Sequence, residues 1–163
     1  PKYNLSQTRR HAGIMDALSE ANVPASNIRE IDYHTVFGSS AESTSSYKSY
    51  EELFFPVNYT AVIGFNDLQS YSAMEILQKK GYRIPEDISL ISFDHLRKTH
   101  TYLPPLTSIA DNSEKSIADT AVSILLDKIR NPSSEISSEV LPVSIFDGHT
   151  TGPINETFAH SFE

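Results

Sequence analysis

The sequence predicts an α/β fold, a parallel β-sheet with flanking helices. Three observations carry that prediction: residues 60–94 read as strand, helix, strand; residues 113–130 read as a helix with one apolar face; and a further apolar run, residues 139–146, follows it. A strand-helix-strand stretch is a βαβ unit, whose crossover makes the strands parallel and the connection right-handed. At 163 residues the chain is long enough for one domain with a real core.

In the central unit, Ala61-Val62-Ile63-Gly64-Phe65 is almost wholly apolar, the pattern of a strand covered on both faces. Asn66 or Asp67 can then accept hydrogen bonds from the first free N–H groups of a helix, with Asp67 the better match to a cap. Tyr71, Met74 and Leu77 recur at helical spacing, and Lys79-Lys80-Gly81 closes the helix with cations in its last turn and glycine just past it. Ile84-Pro85-Glu86-Asp87 turns the chain into a second buried strand, residues 88–93, which ends at Asp94. Ligands of open parallel sheets lie at the carboxyl ends of the strands. Asn66, Asp67 and Asp94 are therefore expected on one rim.

Before this unit, residues 4–21 read as an amphipathic helix. Ala12, Met15 and Leu18, with Leu5 and Thr8 in the earlier turns, make its stripe, and Asn4 or Ser6 is a candidate cap. Residues 28–33 read as a strand. After Asp94, residues 95–102 are a polar loop. His95 and His100 lie five apart, which fits neither a helical i,i+4 pair nor a zinc pattern, so no metal is expected. Residues 104–110 form a short strand entered through two prolines. In the helix over 113–130, Ile117, Ala121, Ile124, Leu125 and Ile129 share a face, Asn112 or Ser113 caps the start, and Asn131-Pro132 ends it. Pro142 interrupts the run 139–146 and places at least part of it at an edge or a crossing. The last dozen residues have no period and read as a tail.

Composition excludes several classes. With Lys+Arg 13 against Asp+Glu 21, a net charge of −8 and no basic cluster longer than a pair, this stretch is a poor nucleic-acid binder by itself. Without cysteine it holds no disulfide and no thiolate metal site. It has no signal peptide and no apolar run of membrane-spanning length. Asp67 and Asp94 could pair as the carboxylates of a glycoside hydrolase. However, no nucleophile elbow, phosphate loop, dinucleotide fingerprint or triad-like histidine accompanies them, so neither catalysis nor a cofactor is expected. The chain opens at Pro1 without a methionine, and we expect an N-terminal part to have been removed.

The stretch AVIGFNDLQSYSAMEILQKKGYRIPEDISLISFDH followed by YLPPLTSI resembles the effector-binding domain of LacI/GalR-type bacterial transcription repressors. The matching features are a strand ending Asn-Asp, a helix closing in Lys-Gly, an Ile-Pro-Glu-Asp turn, a strand ending Phe-Asp and a Pro-Pro-Leu-Thr loop. Arg10-His11-Ala12-Gly13 is similar to the family's Arg-x-Ala-Gly signature, and the resemblance extends from about residue 4 to 151. It implies a type I periplasmic-binding-protein-like fold, here an incomplete fragment. Residues 1–110 would be the C-terminal subdomain, 111–146 a helix and crossing strand of the N-terminal subdomain, and 147–163 a closing segment and tail. A DNA-binding headpiece would lie outside this sequence. Family position also implies a helix over residues 39–54.

The resemblance assigns a small-molecule effector, a sugar or sugar derivative, to Arg10 (with Arg9 as fallback), Tyr33, Asn66 and Asp94. Arg10 would clamp hydroxyls or a carboxylate, Tyr33 stack on a sugar or base, Asn66 donate and accept, and Asp94 accept. Each has a plainer alternative: exposed helix arginine, rim packing, helix cap and turn cap. A homodimer is implied, with Tyr71, Met74 and Tyr102 at its interface or, alternatively, in ordinary packing. Contact with DNA would come only through the headpiece, and the location would be cytoplasmic. Asp111-Asn112 departs from the Gln-Pro usual at the hinge. The apolar face of helix 113–130 lacks its usual partners, and a partner chain, swapped element or remainder of the protein is expected to cover it. The second reading is an extracytoplasmic sugar-binding transport receptor of the same fold, to be separated by what precedes Pro1.

Overall fold

A computed structural model of the chain describes residues 5–31, 51–96, 104–111, 116–135 and 138–162. Four strands, β1 (Ala61–Ile63), β2 (Ser89–Phe93), β3 (Thr107–Asp111) and β4 (Val143–Phe146), form one sheet in the order β1-β2-β3-β4. The helices are α1 (Leu5–Glu20), α2 (Asp67–Lys79), α3 (Ile117–Arg130) and the single-turn α4 (Glu156–Ala159). β1, β2 and β3 pair in parallel, with Ile63 opposite Ile91 and Ile91 opposite Thr107. β4 runs antiparallel to β3 from Ser108–Phe146 to Asp111–Val143, so the expected parallel sheet is a mixed one. Pro142 explains the late start of β4: lacking an N–H, it leaves the ladder to residues 143–146.

The βαβ unit forms as the spacing predicts. α2 packs on β2 through Ala73, Met74 and Leu77, which bury against Ile88 and Leu90. Gly64 permits that approach, since a Cβ there would meet the Ser70 hydroxyl at 1.9 Å. Tyr71 and Met74, at 6% and 0% exposure, are core residues. That burial within one chain fits the ordinary-packing alternative to a dimer interface, because the periodicity that marks a helix's apolar face does not say whether the neighbour is a sheet or a second chain. β1 differs too: Ile63 is 42% exposed, because β1 is the edge of the described sheet and not a strand covered on both faces.

Several boundaries move. Residues 28–31 form no strand; Arg29 instead donates to the carbonyls of Leu53, Phe55 and Pro56, clipping this stretch to the short 3-10 turn Glu51–Phe54. Residues 32–33, and 39–50 of the expected helix, lie outside the described residues. On α1, Ile14, Met15 and Leu18 are half-buried while Leu5, Thr8 and Ala12 are exposed, so the stripe is rotated from the expected one. α3 is capped by Ser116, whose hydroxyl accepts from the Asp119 amide at 3.1 Å. The caps expected at Asn112 or Ser113 lie outside the described residues. α3 also leaves Ile117, Leu125 and Ile129 largely exposed.

The closing segment is tied into the sheet, and the dozen residues after it are held rather than a free tail. Thr150 is fully buried, and its hydroxyl donates to the Leu90 carbonyl at 2.6 Å while accepting from the Thr107 amide at 2.9 Å, joining β2 to the start of β3. The Leu90 amide in turn donates to the Thr150 carbonyl at 2.7 Å. Gly148 lies so close to the Leu106 carbonyl, 2.1 Å from where a Cβ would sit, that no other residue fits. Farther on, Asn155 caps α4 and Phe158 meets Tyr82 edge-to-face with centroids 5.9 Å apart. One turn of helix is too short to display a period, which is why the sequence conceals it.

Thr150→Val should lower stability by about 1–3 kcal/mol, the cost of stranding a buried amide, read as a lower melting temperature with near-native circular dichroism. A second test is acid stability. The Arg83 side chain, bonded to Asp87 at 2.6 and 2.9 Å, holds the Asp87 carboxyl below its ordinary value of 3.8. Folding thus favours the charged form, so its contribution is complete above 3.8 and disappears as pH falls below it. The melting-temperature gap between wild type and Asp87→Asn should therefore be constant near neutrality and close below that pH.

Candidate effector-binding rim

Parallel pairing brings the ends of β1 and β2 to one edge, with the Gly64 amide still bonded to the Ile91 carbonyl at 2.9 Å. Asn66, after Gly64-Phe65, and Asp94, directly after Phe93, share that edge. Asn66, rather than Asp67, caps α2: its side-chain oxygen accepts from the Gln69 amide at 2.9 Å. This leaves its NH2 group as the donor of that side chain at the rim. Asp67 instead sits beneath the rim at 2% exposure, accepting from Ser108 Oγ at 2.9 Å and from the Leu96 amide. Both its oxygens are thus engaged and shielded, so Asp67 and Asp94 do not form a pair of reacting carboxylates.

Asp94 leaves the strand at φ +96° and His95 follows at φ +47°, the left-handed region that non-glycine residues rarely occupy. From α1, Arg10 reaches this turn. Its Nη2 donates to Asp94 Oδ1 at 2.6 Å, its Nη1 donates to the Phe65 carbonyl, and its guanidinium lies 4.9 Å from the Phe93 ring centroid. One arginine thus links α1, the end of β1 and the end of β2. Arg9, its neighbour, is exposed. Tyr33 and Tyr102 lie outside the described residues, as does His100. Among the described residues no three His, Cys, Asp or Glu side chains gather as a metal site would require, and no helix is long and apolar enough to cross a membrane.

Two rim residues escaped the sequence reading. Phe93 carries the arginine, and Phe146 stacks on the His95 ring with centroids 4.1 Å apart at 16°. Each is the last apolar residue of its strand, a signal that read only as strand. With the side chains of Arg10 and Asp94 about one-third exposed (32% and 37%), the rim is reachable from solvent. It presents a planar cation, a carboxylate with a second oxygen, an amide and aromatic faces. That set can satisfy neighbouring hydroxyl groups, which donate to carboxylate and accept from guanidinium, while ring carbons rest on the aromatic faces.

Residues 2–151 match the family model of the periplasmic binding protein-like domain. Over 124 residues the chain is 35% identical to the HTH-type transcriptional repressor PurR of Aliivibrio salmonicida (strain LFI1238), covering 76% of this chain and 35% of that protein. Over 137 residues it is 34% identical to PurR of Escherichia coli O139:H28 (strain E24377A / ETEC), with 82% and 38% covered. Among solved structures, a LacI family transcriptional regulator from Enterococcus faecium with bound ribose superposes at a TM-score of 0.70 and 26% identity, over 90% of this chain and 52% of that one. The dimeric Lac repressor with an 11-residue C-terminal deletion superposes at 0.69 and 25% identity, over 93% and 53%. The chain spans about a third of the length of the curated relatives and about half of the solved ones. It belongs to the periplasmic binding protein-like domain family, as a LacI/GalR-type effector-binding domain.

Proposed function

We propose that this chain is the effector-sensing part of a bacterial transcriptional repressor, and that a sugar or sugar derivative binds on the rim formed by Arg10, Asn66 and Asp94. The observation that supports this most is the Arg10–Asp94 contact at 2.6 Å, which brings a helix and a strand end together as a donor–acceptor pair facing outward. Tyr33 would supply a stacking face. Residues 1–110 act as the C-terminal subdomain, and β3 with β4 acts as the crossing through which 111–146 reaches the second subdomain. A ligand held between the two subdomains shifts their relative orientation only by the difference in its affinity for the two arrangements. DNA is reached through a headpiece of the kind the HTH-type relatives are named for, in the cytoplasm. The PurR proteins and the Lac repressor named above are repressors and the Enterococcus faecium protein is a transcriptional regulator, which favours this reading over a transport receptor and over an enzyme.

The protein acts as a homodimer. The proposed interface of Tyr71, Met74 and Tyr102 gains Leu68, the apolar residue that α2 turns outward, which is 55% exposed.

Isothermal titration with pentoses, hexoses, disaccharides and nucleobases should yield one binding class. Asp94→Ala or Arg10→Ala should weaken it about 10- to 100-fold, the 1–3 kcal/mol of a lost hydrogen bond to a charged group, while Arg9→Ala changes little. Unchanged affinity in Asp94→Ala removes Asp94 from the site. Light scattering should return twice the chain mass for the wild type and a lower mass for Leu68→Glu; an unaltered dimer in that variant would move the interface elsewhere.

A further inference from the structure

We propose that Asp67 is the positioning residue for Asp94: a buried carboxylate that clamps the turn after β2 and so aims the rim carboxylate at Arg10. The inference rests on the reading of Asp94 as an effector contact for its meaning, but the clamp itself is defined by the geometry of this chain.

The turn needs a clamp. Two successive non-glycine residues in the left-handed region, Asp94 and His95, are unfavourable and persist only where surrounding bonds hold them. Here three consecutive amides are held. The Asp94 amide donates to the Ile109 carbonyl at 2.9 Å, and the His95 amide to Ser108 Oγ at 3.0 Å. The Leu96 amide donates to Asp67 Oδ2. Ser108 in turn donates its hydroxyl to Asp67 Oδ1 at 2.9 Å, so one carboxylate secures Leu96 directly and His95 through Ser108. Asp67 is 2% exposed and Ser108 is fully buried, so water is a poor substitute for either.

Position completes the argument. Asp67 is the first residue of α2, immediately after the cap Asn66, while Ser108 belongs to β3. The clamp therefore ties the helix that follows one rim residue to the turn that carries the other. It ties both to the strand that pairs with β4. Replacing Asp67 by asparagine leaves a workable arrangement: the amide oxygen accepts from Leu96 and the NH2 group donates to Ser108 Oγ. Alanine leaves none.

The test is ligand-free NMR on the described chain, reading amide hydrogen exchange and the Nη signals of Arg10. In Asp67→Ala, the His95 and Leu96 amides should exchange at least about tenfold faster, while the Leu90 amide, bonded to the Thr150 carbonyl, and the Gly64 amide, bonded to the Ile91 carbonyl, keep their rates. The Arg10 Nη signals, resolved when the guanidinium is held, should average. Asp67→Asn should keep Leu96 protected. Ser108→Ala should free His95 and spare Leu96, and it serves as the test should Asp67→Ala fail to fold.

Exchange that rises everywhere together would make Asp67 a general stability residue and overturn the proposal. So would unchanged His95 and Leu96, an Arg10 that stays held after the turn is freed, or an asparagine variant as damaged as alanine. No effector is present, so loss of the Asp94 reading by titration and loss of this inference are separate results.

Discussion

A helix connecting two adjacent parallel strands forces both strand ends onto one edge of the sheet, and the candidate rim follows from that constraint. β1 and β2 cannot end apart, because the register Ala61–Ser89 to Ile63–Ile91 fixes their relative height. The first polar residue after each strand then falls on the same rim. That placement costs no special packing; it follows from strand direction alone. What the constraint does not supply is the orientation of each side chain, and the local bonds do that work. Asn66 is turned by its capping bond to Gln69, and Asp94 by the held turn behind it.

The polar groups near the rim divide by burial. Arg10–Asp94 is half-exposed, and exposed ion pairs contribute at most about 1 kcal/mol, so the pair adds little to the fold and can be rearranged by a ligand. The bonds around Asp67, Ser92, Ser108 and Thr150 are buried, and breaking one strands a partner at a cost of about 1–3 kcal/mol. Ser70 completes the set by donating to Ser92 Oγ at 2.7 Å beneath Gly64. Stability therefore resides below the rim and adjustability on it. A carboxylate can belong to either class within a few residues, as Asp67 and Asp94 do.

How far this was legible in the sequence depended on periodicity. The central strand-helix-strand unit read correctly because apolar runs and helix-ending residues are local signals, and the shared edge followed from topology. Arg10 was nameable only through the resemblance, since nothing in the spacing of residues 5–20 says that a helix arginine will bend toward a strand 84 residues away. The exchange of roles between Asn66 and Asp67 was not legible. Both residues cap helices well, and the choice was made by Ser108 and Leu96, which are distant in sequence. The contacts of the closing segment were hidden for the same reason: Thr150 is defined by what it joins, Leu90 and Thr107, and not by its neighbours. Amphipathic spacing marked Tyr71 and Met74 as apolar-face residues without identifying which surface that face meets.

On the proposed reading, with an effector on this rim and a second subdomain closing over it, the adjustable pair would also supply a physical route to sensing. Where the rim is open, Arg10 and Asp94 interact across water-rich surroundings, and a ligand hydroxyl that inserts between them exchanges one set of modest bonds for another. Covering the rim with a second subdomain removes that water, and the same charge-assisted bonds strengthen as the effective dielectric falls. A ligand that hydrogen-bonds to the two charges would also offset part of the cost of closing over them. Ligand affinity is then higher in the closed arrangement than in the open one, and that difference is the whole of the free energy available to shift the equilibrium. Aromatic faces at Phe93 and Phe146 add apolar contact to the same closed state. A rim of weakly paired, partly exposed charges on a buried frame would therefore suit reporting a ligand through domain orientation, because the energy of the pair changes with coverage while the frame beneath it holds.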